Sequence, residues 1–485
     1  MIVPTFNNSG TVVDVVSRCL EQCEDVIVVC DGCTDGTPDL LERMPRKPVV
    51  ISYERNRGKG AALVAGFRYA LEHGFSYAIT IDSDGQHFPE DIPVMVQANR
   101  DFPGSLVVGR RQGPESGVKS TGSKFANSFS NFWFTVQTGH RVKDTQSGFR
   151  LYPLKKLPCL SLLTSRYEAE YELLAGAAWR GVGIEEVPVN VHYPPKEERV
   201  SHFRPFADFA RISVLNVVLC LLALVYGYPR CILRFLGALG RTLYSLTVFI
   251  MVTLVIITPA MVVYLSVGKL TEKKKERLHD VIYKFTSFGL LRHGIPGAEY
   301  TQNNPAGESF DRPAVIICNH QSHFDLLVML SLTPKLVILT TDWVWNNPFY
   351  GYLIRKADFL PVSRGMDSIM PKIKELSGKG YSIAIYPEGT RSVDGKIGRF
   401  HQGAFHIAGE LGLDILPLIL YGTGKVLPKH GRLMHRWPVS LSIDRRIPAA
   451  GLRELGATTR EQASRMREYY IRRYNEIADV IERDV

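Results

Sequence analysis

A chain of 485 residues, 45% hydrophobic and 22% charged, is long enough for two or three domains and apolar enough to bury their cores. Its formal net charge of +10 implies an acidic partner or surface. The basic residues are not interleaved with aromatics along a soluble block, as a nucleic-acid binder would require, and the densest basic run flanks an apolar segment, which points to anionic lipid headgroups.

From the N-terminus to about residue 205, short apolar runs alternate with amphipathic ones. Ile-Val-Pro-Thr-Phe-Asn-Asn reads as a strand ending in a polar turn, followed by a helix from about Gly10 to Gln22. An apolar strand from Asp25 to Cys30 runs into Cys-Asp-Gly-Cys-Thr-Asp-Gly-Thr. A strand near Val49 to Tyr53 leads through Glu-Arg-Asn-Arg-Gly-Lys-Gly into a helix from Ala61 to Glu72. Tyr77 to Ile81 is a further strand and runs into Asp-Ser-Asp-Gly-Gln-His. Alternation of this kind predicts a parallel sheet covered on both faces, with ligands bound beyond the carboxyl ends of the strands. The four polar loops (4–8, 31–37, 56–60 and 82–87) all leave strands at that rim. The eight cysteines are scattered apart from Cys30 and Cys33, and they read as reduced thiols of the cytosol rather than as a zinc site.

Asp82 and Asp84 stand one residue apart at a strand end. Such a pair either holds a hard divalent cation with positions open for phosphate oxygens, or is a turn whose carboxylates cap backbone amides. Taken together and in order, the Pro-Thr-Phe-Asn-Asn, Asp-Gly-Cys-Thr-Asp-Gly-Thr, Asn-Arg-Gly-Lys-Gly, Asp-Ser-Asp-Gly-Gln-His and Asp-Thr-Gln-Ser-Gly-Phe-Arg segments resemble the family-2 inverting glycosyltransferases, most closely the branch of the dolichyl- and polyprenyl-phosphate sugar synthases. The resemblance covers about residues 1–200. It implies a GT-A doubly wound sheet, a nucleotide-sugar donor and a divalent cation, Mg2+ or Mn2+. By that likeness Pro4, Asp31, Lys59, Asp82 and Asp84 bind the nucleotide sugar, Asp31 on the nucleoside and Asp82 with Asp84 on nucleotide and metal. Cys30 stands where an Asp commonly precedes Asp31, which leaves the nucleobase open. On the acceptor side, inverting transfer to a hydroxyl needs a carboxylate base; Asp144 and Glu170 are the candidates, with Asp144 preferred. A lipid-phosphate acceptor would need no base, and Arg150 would then grip it. A structural pair of Asp144 with Arg150 is the alternative.

The stretch from Arg199 to Arg211 mixes cations with Phe203, Phe206 and Phe209, a pattern suited to the headgroup layer or to a solvated linker. Two uncharged runs follow. Leu243 to Val267 is long enough to cross a bilayer core of about 30 Å, which needs roughly 20 helical residues. Ile212 to Pro229 is shorter and either spans or lies flat in the interface. Arg230, Arg234 and Arg241 separate the runs, and Lys269, Lys273, Lys274, Lys275 and Arg277 follow. Basic flanks on both sides predict a membrane hairpin over 206–268 with both heads in the cytoplasm, at the cytoplasmic membrane.

The remaining block, 269–450, resumes an α/β pattern. A strand from Pro313 to Cys318 runs into Asn-His-Gln-Ser-His-Phe-Asp and then a helix. Ser322-x-x-Asp325 has the form of a capping box; equally, Asp325 can hold one nitrogen of His320 so that the other accepts a proton from an alcohol. The second motif, Tyr386-Pro-Glu-Gly-Thr-Arg-Ser392, follows another strand, with Arg364 between the two. In this order they resemble the lysophosphatidic-acid/glycerol-phosphate acyltransferases, over about residues 285–445. The likeness implies that His320 is the general base, that Asp325 orients it, and that Arg364, Glu388, Gly389 and Arg391 bind the acyl acceptor. It also implies acyl carrier protein or acyl-coenzyme A as donor and no cofactor. Tyr386 stands where Phe is more usual, and His323 reads as structural. A final amphipathic helix over 451–485, capped near Thr458, presents Ala463, Met466, Tyr470, Tyr474, Ile477 and Ile481 on one face.

The expectation is a two-headed enzyme of glycolipid assembly, acting on a membrane lipid acceptor and binding no nucleic acid. The competing expectation is one catalytic head beside a lipid-binding or anchoring module.

Overall fold

The computed structural model describes residues 1–112, 121–157, 162–192, 205–288 and 296–484. The chain forms two compact units, Met1–Arg234 and Phe235–Val485. Of the cationic-aromatic stretch from Arg199 to Arg211, residues 199–204 and the Phe206 and Phe209 side chains lie outside the described residues.

In the first unit, β1 (Ile2–Thr5), β2 (Ile27–Asp31), β3 (Val49–Tyr53), β4 (Tyr77–Thr80), β5 (Leu106–Gln112), β6 (Arg150–Pro153) and β7 (Ile184–Asn190) form one sheet in the order β3-β2-β1-β4-β6-β5-β7. The two-residue period of a strand divides its side chains between two cores. Ile2, Ile27 and Val29 pack with Ala62, Leu63, Phe67 and Ala70 of the Lys59–Glu72 helix. Val3, Val28 and Cys30 pack with Val12, Val15, Val16, Cys19 and Leu20 of the Val12–Gln22 helix. Helices on both faces are therefore a direct consequence of strands such as β1 and β2 that are buried at every position.

β1 to β4 are parallel, as the alternation predicts. β6 departs from that expectation: it runs antiparallel to both β4 and β5. The chain comes into β6 at the rim where β4 ends, with Arg150 opposite Thr80. This reversal delivers the Asp-Thr-Gln-Ser-Gly-Phe-Arg segment to the same edge as Asp82 and Asp84.

The second unit carries β8 (Tyr300–Asn303), β9 (Val315–Cys318), β10 (Leu336–Thr340), β11 (Leu360–Pro361), β12 (Ser382–Ile385), β13 (Ile415–Tyr421) and β14 (Val439–Ile443), ordered β11-β10-β12-β9-β13-β14-β8. β9 lies between β12 and β13, parallel to both and buried along its whole length. The C-terminal helix, Thr459–Asp484, packs on this core through Ala463, Met466 and Tyr470, with Tyr474 and Ile477 partly buried beside them. The apolar spacing read from the sequence is thus the packed face.

The expected membrane hairpin over 206–268 is not formed. Helix runs unbroken from Ala210 to Ser266, 57 residues. Pro229 and Pro259 do not end it, because each follows a π-helical stretch, Ala223–Gly227 and Phe249–Ile257. Wider i→i+5 turns accommodate the missing proline N–H and ring without a reversal of the chain. The helix is long and apolar enough to cross a membrane by length and composition, and only 11% of its most apolar window is buried.

Candidate active sites

In the first unit the site forms around Lys59. Its Nζ lies 2.6 Å from Asp82 Oδ1 and 2.8 Å from Glu170 Oε2. Burial alone would lower the Lys59 ammonium; Asp82 and Glu170 outweigh it and hold the group well above its usual range. Burial would likewise raise Asp82, but Lys59 prevails and holds that carboxyl below the usual range. Among the described residues no such cation contacts Asp84. Burial, and then the charge of Asp82, push it up to about 6. Two aspartates one residue apart are thereby driven in opposite directions. Gly148 makes the arrangement possible: a Cβ there would meet Asp82 Oδ2 at 2.5 Å and Lys59 Nζ at 2.9 Å.

The rim loops are fastened to one another. Asn8 Nδ2 donates to Ser83 Oγ at 2.7 Å and Thr11 Oγ1 donates to the Ser83 carbonyl at 2.6 Å, so the middle residue of Asp-Ser-Asp is clamped from the β1 side. Pro4 is buried in β1. Asp31 is buried, and its two oxygens accept the Arg57 and Gly58 amides at 2.8 and 2.7 Å. Its contacts order the loop that carries Lys59, where the sequence reading put them on a nucleoside.

Two acceptor-side expectations need correction. Arg150 is fully buried and donates to the carbonyls of Ser147, Thr145 and Glu170 at 2.7, 2.7 and 2.6 Å. It braces the turn and has no face toward a lipid phosphate. Asp144 is buried and gripped on both oxygens by Arg111, Nε to Oδ2 at 2.8 Å and Nη2 to Oδ1 at 2.7 Å. The structural pairing exists, but with Arg111 rather than Arg150, because β5 brings Arg111 alongside the loop. The fork engages both oxygens of a buried carboxylate, which fits a structural pair better than a base. Of the two candidate bases, Glu170 is the one at the aspartate cluster, with Oε1 buried and making no hydrogen bond to any described residue. Asp144→Asn should therefore destabilise the first unit by about 3 kcal/mol while sugar transfer, assayed below the unfolding range, stays within about tenfold of wild type. Thermal unfolding of the full chain beside the transfer assay checks both halves.

In the second unit, the motif loops leave β9 and β12, which pair as neighbours, at their carboxyl ends. His320 Nδ1 lies 2.8 Å from Asp325 Oδ2. The same oxygen accepts the Gln321 amide at 2.5 Å and the Ser322 amide at 2.8 Å. Capping and histidine orientation, which the sequence left as alternatives, are both performed by one carboxylate. With Nδ1 committed to Asp325, Nε2 is the nitrogen left to meet a substrate, and the ring is 21% exposed. Tyr386 stacks on it at 4.1 Å between ring centroids.

Glu388 does not fit acceptor binding. It is buried, accepts the His320 amide at 2.8 Å through Oε1 and the Gly398 amide at 2.7 Å through Oε2. Burial raises its carboxyl, and these two amides counter the rise only in part. With Ser392 N donating to the His320 carbonyl at 2.8 Å, it ties the second motif to the first. Gly389 sits at φ 67°, a left-handed turn that a side chain would strain, so its part is conformational. Arg391 is partly buried, and its charge helps hold the His323 imidazole low, after the larger effect of burial. Lys429 donates to the Arg391 carbonyl at 2.7 Å and adds a second cation there. No motif flags Lys429, which arrives after β13, far away in sequence. Arg364 is exposed, its guanidinium 5.0 Å over the Trp345 ring. His323 is exposed at the start of its helix.

Among the described residues no three His, Cys, Asp or Glu side chains gather as a metal site. A cation in the first unit would rest on Asp82 and Asp84 and draw its other oxygens from the substrate. Burial first, and the charge of Asp82 second, raise the Asp84 carboxyl, and a cation there would offset both. A groove of about 570 Å3 along the Lys59–Glu72 helix, lined by Tyr53, Arg57, Arg68 and Leu162 among others, does not include either aspartate.

The Glycosyl transferase family 2 model matches residues 1–157. The UDP-N-acetylglucosamine–dolichyl-phosphate N-acetylglucosaminyltransferase of Methanococcus voltae is 30% identical over 213 residues, 40% of this chain and 85% of that protein. The chain belongs to glycosyl transferase family 2. Its second unit carries an acyltransferase domain: the Acyltransferase model matches 295–421. The chloroplastic 1-acyl-sn-glycerol-3-phosphate acyltransferase LPAT1 of Arabidopsis thaliana is 37% identical over 125 residues, 25% of this chain and 35% of that protein. The chain spans between a third and a half of the plant acyltransferases it matches. The 1-acyl-sn-glycerophosphate acyltransferase PlsC of Thermotoga maritima superposes with a TM-score of 0.42 at 21% identity, covering 50% of this chain and 98% of that one. The family-2 match takes in Lys59, Asp82 and Asp84, and the Acyltransferase match takes in His320 and Asp325.

Proposed function

We infer that this family-2 glycosyltransferase with a fused acyltransferase domain builds a glycolipid. Its first unit would transfer a sugar from a nucleotide donor to a lipid acceptor, and its second an acyl chain to a hydroxyl. The observation that carries the reading is that each unit gathers its motif residues at the carboxyl rim of its own sheet, Lys59, Asp82 and Asp84 on one and His320 and Asp325 on the other. A lipid-phosphate acceptor for the sugar is supported by the dolichyl-phosphate relative; a phosphate nucleophile is already an anion and needs no base. Asp82 and Asp84 would hold Mg2+ or Mn2+, which would neutralise the departing diphosphate. His320 would take the proton of the acceptor hydroxyl as it attacks the thioester of acyl-coenzyme A or acyl carrier protein. Arg391 and Lys429, with Arg364 further along the sheet order, would meet a phosphate on that acceptor.

Both donors are cytosolic, so both units belong on the cytoplasmic face of the membrane. With the helix unbroken, this is supported by a bed in the interface plane. Arg230, Arg234 and Arg241 recur at helical spacing, while Ile232, Leu233, Leu236 and Leu243 are exposed apolar side chains. Holding both activities on one membrane-bound chain would raise the local concentration of a shared intermediate. Mass spectrometry of lipids from membranes with and without the protein tests the reading. A new lipid bearing both sugar and acyl chain is the expected result; a product with sugar but never acyl, when both donors are supplied, sinks it.

A further inference from the structure

The C-terminal helix, Thr459–Asp484, lies beyond the 295–421 stretch that matches the acyltransferase family, yet it touches the base loop. Tyr474 Oη accepts from Gln321 Nε2 at 2.7 Å and lies 3.1 Å from Gln321 Oε1. Gln321 Nε2 also donates to the Gly395 carbonyl at 2.8 Å. The main-chain amide of the same Gln321 donates at 2.5 Å to Asp325 Oδ2, the oxygen that holds His320. Gln321 is buried, and it links the helix to the couple: side chain on Tyr474, backbone on Asp325.

The rest of the helix is fastened to match. Tyr470 Oη, one turn earlier, donates to the Ile317 carbonyl at 2.7 Å and accepts the Leu418 amide at 3.1 Å, so one hydroxyl bridges β9 and β13 just below the His320 loop. Arg467 donates to the Gly398 carbonyl at 2.8 Å, next to the amide that Glu388 accepts. Arg473 reaches Asp444 at 3.0 Å. A helix needed only to cover the sheet would be held by its apolar face; this one places hydroxyl and guanidinium groups on the two loops that carry the chemistry.

We propose that the C-terminal helix is a positioning element of the acyl-transfer site, with Tyr474 acting through Gln321 to keep the Asp325 carboxylate against His320. The proposal rests on the acyltransferase reading of that site. The test compares full-length wild type, Tyr474→Phe, Gln321→Ala, the double variant and His320→Ala, with oleoyl-coenzyme A and lysophosphatidic acid as probes in mixed micelles. Tyr474→Phe should lower kcat roughly 3- to 10-fold, the effect of one hydrogen bond, with KM and thermal midpoint close to wild type. The double variant should be no slower than Gln321→Ala alone, since both act through one contact. Transfer lost in His320→Ala but unchanged in Tyr474→Phe overturns the proposal alone, as do losses that multiply or a loss carried by KM rather than kcat. Transfer undiminished in His320→Ala overturns the reading of the site with it.

Discussion

His320→Ala is expected to lower acyl transfer by about 10³-fold, the range for a positioned general base, and to leave sugar transfer at the wild-type rate. The imidazole is held from two sides: Asp325 Oδ2 at 2.8 Å fixes the proton on Nδ1, and the Tyr386 ring stacked at 4.1 Å fixes the plane. Lys429 and Arg391 are cations, and both Glu388 oxygens are spent on amides. Asp325→Asn should cost a comparable factor for a different reason. Oδ2 accepts three N–H groups, from His320, Gln321 and Ser322. An amide that is neutral, or turned with its NH2 toward them, cannot hold all three, so tautomer and loop shape are lost together. Steady-state acyl transfer, measured beside sugar transfer on the same preparation, decides the matter. An active His320→Ala enzyme would remove the base from the mechanism.

Asp84→Asn should lower sugar transfer at least about 100-fold, the loss of a few kcal/mol of charge stabilisation at the leaving diphosphate, with acyl transfer untouched. The two aspartates are not equivalent. Asp82 is neutralised by Lys59 at 2.6 Å, whereas burial and the charge of Asp82 push Asp84 up to about 6. Asp84 is therefore the carboxylate with charge still to be satisfied by a cation, and the asparagine keeps its shape while removing that charge. Added Mn2+ should not restore the rate. Calorimetric titration of Mn2+ with a nucleoside diphosphate present checks the cause, since binding should weaken in parallel. Wild-type turnover by this variant would show that the cation does not depend on Asp84.

The rims on which these predictions rest were legible before any coordinates. A parallel alternation puts every strand-to-helix loop at one edge, so the loops after β1, β2, β3 and β4, and those after β9 and β12, had to converge. The membership of each site was legible from motif order; the partners within it were not. The sequence assigns Asp31, Glu388 and Asp144 to substrate and says nothing of their internal donors, which are the amides of Arg57 and Gly58, those of His320 and Gly398, and the Arg111 fork. A buried carboxylate must find donors, and which donor arrives is set by how two loops approach, a quantity with no signature in local sequence.

By itself the sequence determined the two α/β blocks, the apolar stretch that separates them along the chain and the catalytic candidates on their loops, because strand period, helical spacing and motif order are properties of neighbours along the chain. Only the tertiary structure decided that β6 turns back to bring Gly148 against Asp82, that Pro229 and Pro259 leave one unbroken helix, and that Tyr474 reaches Gln321. These depend on contacts between residues tens to more than a hundred positions apart, or on hydrogen bonds shifted by one residue in a helix. Packing chooses among such arrangements after local preference has allowed them all.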